Sequence, residues 1–178
     1  MSSPILEAMT NDEFDLVTFA ALPEDEAVTA LLGCCSSRAW ARSVAAGRPY
    51  ATVEDLLRAA DAALAEISEE ELDRALAGHP RIGATPDNPS SAREQARVAE
   101  AGDDLRAALA AWNREYEARF GHVYLVCATG RSASELLDIL MARLHNDHRT
   151  ERGIVREELT KINRIRLRRL VHDPTEAR

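Results

Sequence analysis

Phe120-Gly121-His122-Val123-Tyr124-Leu125-Val126-Cys127-Ala128 is the stretch whose reading decides the fold. Its apolar, partly β-branched side chains follow no helical period, so it should run extended and buried. Helix punctuation surrounds it. Upstream, Ser91 with Glu94 reads as a capping-box start for the longest helix, which ends near Arg119 with Gly121 just past it. Downstream, Ser132 with Glu135 opens a helix whose Leu136, Leu137, Leu140, Met141 and Leu144 share one face. A final helix, about Thr150 to Val171, places Val155, Leu159, Ile162 and Ile165 at helical spacing.

The N-terminal half repeats the pattern. Asn11 can cap a helix to about Ala21, with Phe14, Val17 and Phe19 as its apolar surface. Pro23 suits the first turn of a second helix through Leu32. Ser36 or Ser37 opens a third that ends near Gly47, and Thr52 a fourth to about Glu66. Ser68 with Glu71 starts a short fifth helix that stops at Gly78. Residues 79–90 hold three prolines and Gly83 and read as a loop. The expected fold is an all-α, single-domain bundle of about eight helices with one short extended crossing segment.

Composition narrows the function. Hydrophobic residues make up 46% of 178 and charged residues 29%, which fits a folded globular chain. The net charge of -8 disfavours nucleic acid and anionic membranes as partners. No apolar run approaches the roughly 20 residues of a membrane span. Neither a secretory start nor a peroxisomal ending is present, and the three cysteines, Cys34, Cys35 and Cys127, form no disulfide framework. A cytoplasmic protein is expected.

Three residues stand out chemically. His79 follows a helix-ending glycine and precedes Pro80, a corner that holds an imidazole rigidly. Taken alone it also fits a polar loop histidine. Glu94 can cap its helix, or it can face His79 and fix its tautomer. Gln95 beside it offers both a donor and an acceptor. Arg166 occupies the next slot of the apolar stripe Val155, Leu159, Ile162, so it should point inward and need a carboxylate partner. That partner could be a ligand, or Glu94 or Asp138 in a structural pair. Arg164 and Arg168 should face solvent. Cys127 reads as a small core residue, Arg131 as an anion contact or a surface residue, and His145-x-x-His148 as a solvated helix end without a third metal ligand.

His79-Pro80-Arg81-Ile82-Gly83, Ser91-x-x-Glu94-Gln95, Phe120 to Ala133 and Lys161-Ile162-Asn163-Arg164-Ile165-Arg166-Leu167 occur in one order. Together they resemble the 2-oxo-4-hydroxy-4-carboxy-5-ureidoimidazoline (OHCU) decarboxylase family, from Phe14 to Leu170. The residues offer no metal site, and the resemblance implies an all-α, cofactor-free and homodimeric enzyme that converts a small ureidoimidazoline to (S)-allantoin. It implies His79 as proton donor, Glu94 as its orienting carboxylate and Arg166 as the active-site arginine. It also implies substrate contacts at Pro80, Ser91 and Gln95 and along Tyr124, Leu125, Val126, Cys127 and Ala128. Functional coupling to hydroxyisourate hydrolase and the role of Arg81 are left open. Two rival readings remain: a hydrolase or isomerase of another ureido or hydantoin ring, and a non-catalytic helical module with a buried ion network.

Overall fold

Local punctuation in the sequence accounts for most of the elements that form. The structure, a computed structural model, describes residues 13–86 and 88–173. Among them are ten helices and a single pair of two-residue strands. They fall into two compact units: the chain through Glu66 together with residues from Asn163 onward, and Ile67–Ile162. No helix of the described residues is long and apolar enough to cross a membrane.

In the first unit, β1 (Phe14–Asp15) leads into α1 (Leu16–Ala21), and the Asp15 carboxylate accepts from the Thr18 amide at 2.7 Å. The expected cap at Asn11 lies outside the described residues. Phe14 and Asp15 are extended rather than helical, because they pair in parallel with β2 (Val171–His172). That pairing also stops the last helix one residue earlier than its periodicity suggests. Pro23 stands just before α2 (Glu24–Leu32) rather than in its first turn, Ser37 caps α3 (Arg38–Ala46) through the Trp40 amide, and Thr52 accepts from the Asp55 amide at the start of α4 (Val53–Glu66). Helix α3 packs against both α2 and α4. Trp40 is fully buried, its indole donating to the Ala60 carbonyl at 3.0 Å.

The second unit begins with α5 (Glu69–Ala77), whose Ser68 accepts from the Glu71 amide, as the pattern requires. The next region differs from expectation. The long helix assigned from Ser91 to Arg119 is three: α6 (Pro89–Glu94), α7 (Ala96–Ala99) and α8 (Asp103–Phe120). Asn88 is the cap, accepting from the Ser91 amide at 2.8 Å, with Pro89 at the first helical position. A new start at Gly102, with Asp103 and Asp104 in the first turn, opens α8. Gly121 then ends α8 in the left-handed region at φ 79°.

Residues 123–128 form neither helix nor strand, and Tyr124 to Ala128 are buried. Helix α9 (Ala133–Arg143) carries the expected capping box of Ser132 and Glu135. Ser132→Ala should cost about 1 kcal/mol, read as a lower urea midpoint with an unchanged slope. The longest helix is α10 (His148–Leu170), which starts two residues before the expected Thr150 and contributes to both units. The core of the second unit gathers Ile82, Val98, Leu109, Tyr116, Phe120, Tyr124, Val126, Leu136 and Leu140.

Candidate active site

The histidine corner is built by the end of α5. Gly78 caps that helix, and the His79 amide still donates to the Leu76 carbonyl at 3.0 Å. Pro80 has no amide to continue the turn, so the chain leaves with the imidazole held at the corner. The following turn is fastened from several sides. Asn113 Nδ2 donates to the Ile82 carbonyl at 2.9 Å, the Gly83 amide donates to Gln95 Oε1 at 3.0 Å, and Arg81 makes a two-point ion pair with Glu117. Gly83 sits at φ +86°, where a Cβ would be strained. Arg81, open in the sequence, is therefore a clamp between this turn and α8.

Glu94 is the last residue of α6 and not part of a capping box, so the capping explanation for it falls away. His79, Ser91, Glu94 and Gln95 are all buried, with His79 the most exposed at 9%. They line one pocket of about 290 Å³, counted to its open mouth, with Pro80, Ile82, Tyr124, Leu125, Val126, Ala128 and Ile162 completing the wall. Nine of the eleven residues singled out in the sequence therefore share a cavity. Cys127 does not line it; its thiol is buried, which pushes the thiol pKa up and keeps it protonated. Arg166 belongs to the first unit. It points inward as expected, at 8% exposure, and its Nη1 donates to the Cys34 carbonyl at 3.1 Å. Arg164 is half-buried and paired with Asp61, in place of the solvent position expected for it.

The apolar wall of the pocket is held by ions that the sequence reading passed over. Arg143 donates to the Leu125 carbonyl at 2.7 Å and to Glu151 Oε1 at 2.8 Å, while Tyr116 and Asn146 also donate to Glu151. The Cys127 amide donates to Glu158 Oε2 at 2.8 Å, and the other Glu158 oxygen pairs with Lys161. The Tyr124 hydroxyl donates to the Leu136 carbonyl, and burial raises its pKa so that it stays a neutral donor. A signal for these residues was present. Leu109, Asn113, Tyr116 and Phe120 step as one helical stripe, as do Leu136, Leu140 and Arg143, and Glu151, Val155, Glu158 and Ile162. The polar members of these stripes, Asn113, Arg143, Glu151 and Glu158, are buried, by the logic that had singled out Arg166. Conversely, Met141, expected on the buried face of α9, is 40% exposed.

Among the described residues, no group of three or more His, Cys, Asp or Glu side chains is placed to hold a metal ion. A profile of the OHCU decarboxylase family matches residues 20–168. The chain belongs to this family. It is 30% identical over 149 residues to the uric acid degradation bifunctional protein TTL of Arabidopsis thaliana, covering 79% of this chain and 46% of that one. It is 28% identical over 143 residues to the 2-oxo-4-hydroxy-4-carboxy-5-ureidoimidazoline decarboxylase of Amia calva, covering 75% and 81%. A uric acid degradation bifunctional protein of Bacillus sp. (strain TB-90) is 24% identical, covering 83% and 30%. The chain thus spans less than half the length of the two bifunctional relatives. A crystal structure of OHCU decarboxylase in the presence of (S)-allantoin superposes with a TM-score of 0.72 at 25% identity, covering 84% of this chain and 98% of that one. A crystal structure of (S)-allantoin synthase gives 0.70 at 17% identity, covering 89% of this chain and 54% of that one.

Proposed function

We propose that this chain decarboxylates 2-oxo-4-hydroxy-4-carboxy-5-ureidoimidazoline to (S)-allantoin and CO₂, without a cofactor, as a step of urate degradation. The observation that carries this reading is the single pocket shared by His79 and Glu94, walled by the buried run Tyr124 to Ala128, in a member of this family. The family profile spans both compact units, which supports taking the whole chain as one decarboxylase domain. The working form is a cytoplasmic homodimer. Relatives that are bifunctional in uric acid degradation support coupling to the hydrolase that supplies the substrate.

The chemistry follows from the substrate. Its carboxylate sits on a ring carbon beside an unsaturated carbon–nitrogen bond. When the C–CO₂⁻ bond breaks, the electron pair enters that bond, so the substrate is its own electron sink. The hydroxyl on the same carbon then becomes a carbonyl as the ureido-bearing carbon takes a proton. What the protein adds is orientation, charge stabilisation and a proton delivered to one face. His79 carries the proton and Glu94 orients the imidazole. Arg166 stabilises the anionic substrate, while Pro80, Ser91, Gln95 and the backbone of Tyr124 to Ala128 hold the ring. Val126 and Leu125 keep out water that would protonate the other side.

The test supplies urate, urate oxidase and hydroxyisourate hydrolase, then follows the imidazoline ultraviolet band and the enantiomeric excess of allantoin. Accelerated loss of the band with (S) product is expected. Racemic allantoin at the uncatalysed rate would sink the reading, and ammonia or a ring-opened product would favour the hydrolase alternative. Arg166→Ala should raise KM about 10- to 100-fold, the scale of a lost charge-assisted hydrogen bond.

A further inference from the structure

Among the described residues no strand pairs with the buried run Tyr124 to Ala128, yet buried N–H and C=O groups require partners. Here two side chains take the place of a strand. The Leu125 carbonyl accepts from Arg143 at 2.7 Å, and the Cys127 amide donates to Glu158 at 2.8 Å. These groups lie two residues apart, the interval at which an extended chain turns its polar groups to the same edge. Both holders are buried, and each carries its own counter-ion, Glu151 for Arg143 and Lys161 for Glu158. Tyr124, Leu125, Val126 and Ala128 all line the pocket, and Cys127 does not.

We infer that Glu158 and Arg143 are positioning residues, which fix the outer edge of Leu125–Cys127 so that the inner edge meets the substrate ring in one orientation. Neither lines the pocket. Their effect therefore passes through the backbone, and it depends on reach more than on charge. Glu158 arrives from α10, four residues before the pocket-lining Ile162, so the wall and that helix are registered by one hydrogen bond. The inference rests on the decarboxylase reading for its kinetic consequences, and on geometry alone for its effect on the backbone.

Two substitutions separate reach from charge. Glu158→Gln keeps an acceptor oxygen at the same distance and loses the charge; Glu158→Asp keeps the charge and is one methylene too short. Glu158→Asp should raise KM about tenfold and lower the enantiomeric excess of the allantoin formed, and Glu158→Gln should stay within about twofold of the parent. In the ligand-free protein, hydrogen exchange at the Cys127 amide should quicken at least tenfold in Glu158→Asp and little in Glu158→Gln. The reverse order, Gln harmful and Asp benign, would overturn the inference in favour of a purely electrostatic role. Equal KM, product chirality and exchange in all three proteins would overturn it as well. Should the parent protein show no turnover, the decarboxylase reading fails by itself, and the exchange experiment still decides whether Glu158 holds the wall.

Discussion

His79→Ala is expected to lower kcat by about 10²- to 10⁴-fold, the usual worth of a positioned proton-transfer group. The allantoin that still forms should approach the racemate, because the proton would then come from water on either face. The two readouts belong together. A variant that merely folds poorly loses rate in proportion to its folded fraction and leaves the chirality of the enzymatic product intact. His79 sits where α5 ends and Pro80 turns the chain, with its backbone amide on the Leu76 carbonyl, so truncation at Cβ removes the imidazole without removing the corner. The space left opens into the pocket, and added imidazole should restore part of the rate. Unchanged rate together with unchanged chirality would take His79 out of the mechanism.

The largest effect on stability is expected at Arg143. Removing it leaves Glu151, fully buried, without its counter-ion, and leaves the Leu125 carbonyl without its donor. Arg143→Ala should therefore cost about 3–5 kcal/mol of unfolding free energy, measured by urea denaturation. Burial alone would raise the Glu151 pKa, but hydrogen bonds from Arg143, Tyr116 and Asn146 outweigh it and hold the carboxyl below its ordinary value. A carboxyl depressed in the folded state stabilises the protein above its unfolded value of about 4.3, and that contribution is lost as pH falls through the folded value. In Arg143→Ala the sign reverses. Glu151, still buried and now unpaired, takes up a proton more readily when folded than when unfolded. The stability deficit of the variant should accordingly be largest near pH 7 and shrink towards pH 5. A deficit that stays constant with pH would mean that the pair adds packing and no electrostatic free energy. The double change Arg143→Met with Glu151→Leu should recover the part of the loss due to the unpaired charge, while the Leu125 carbonyl, Tyr116 and Asn146 remain without those partners.

Much of the fold was legible because helix starts and stops are local. Ser37, Ser68 and Ser132 act as caps, Gly121 ends its helix in the left-handed region, and the run after it is buried without helical period. The break at Gln95 was not legible from capping statistics. Ser91 and Glu94 match a capping box, but Asn88-Pro89 lies three residues earlier and wins the start, and Gln95 turns its side chain to the histidine loop. The strand pair was missed for a different reason. Two residues carry no period, and Phe14 and Val171 meet only through tertiary structure. At the site, residue types with obvious chemistry were found, and their supports were not. Asn113, Arg143, Glu151 and Glu158 interrupt apolar stripes just as Arg166 does, so their burial was legible; what they hold was not, because those partners come from other segments of the chain.

A wall held by side chains differs from one held by a sheet in what mutation can do to it. A sheet ladder belongs to the main chain, so a side-chain change acts on it only indirectly. Here the one-methylene change Glu158→Asp can shift the wall while every residue facing the ring stays the same. Preference among related heterocycles can thus drift in evolution, or be tuned by design, from positions that no comparison of pocket residues would flag.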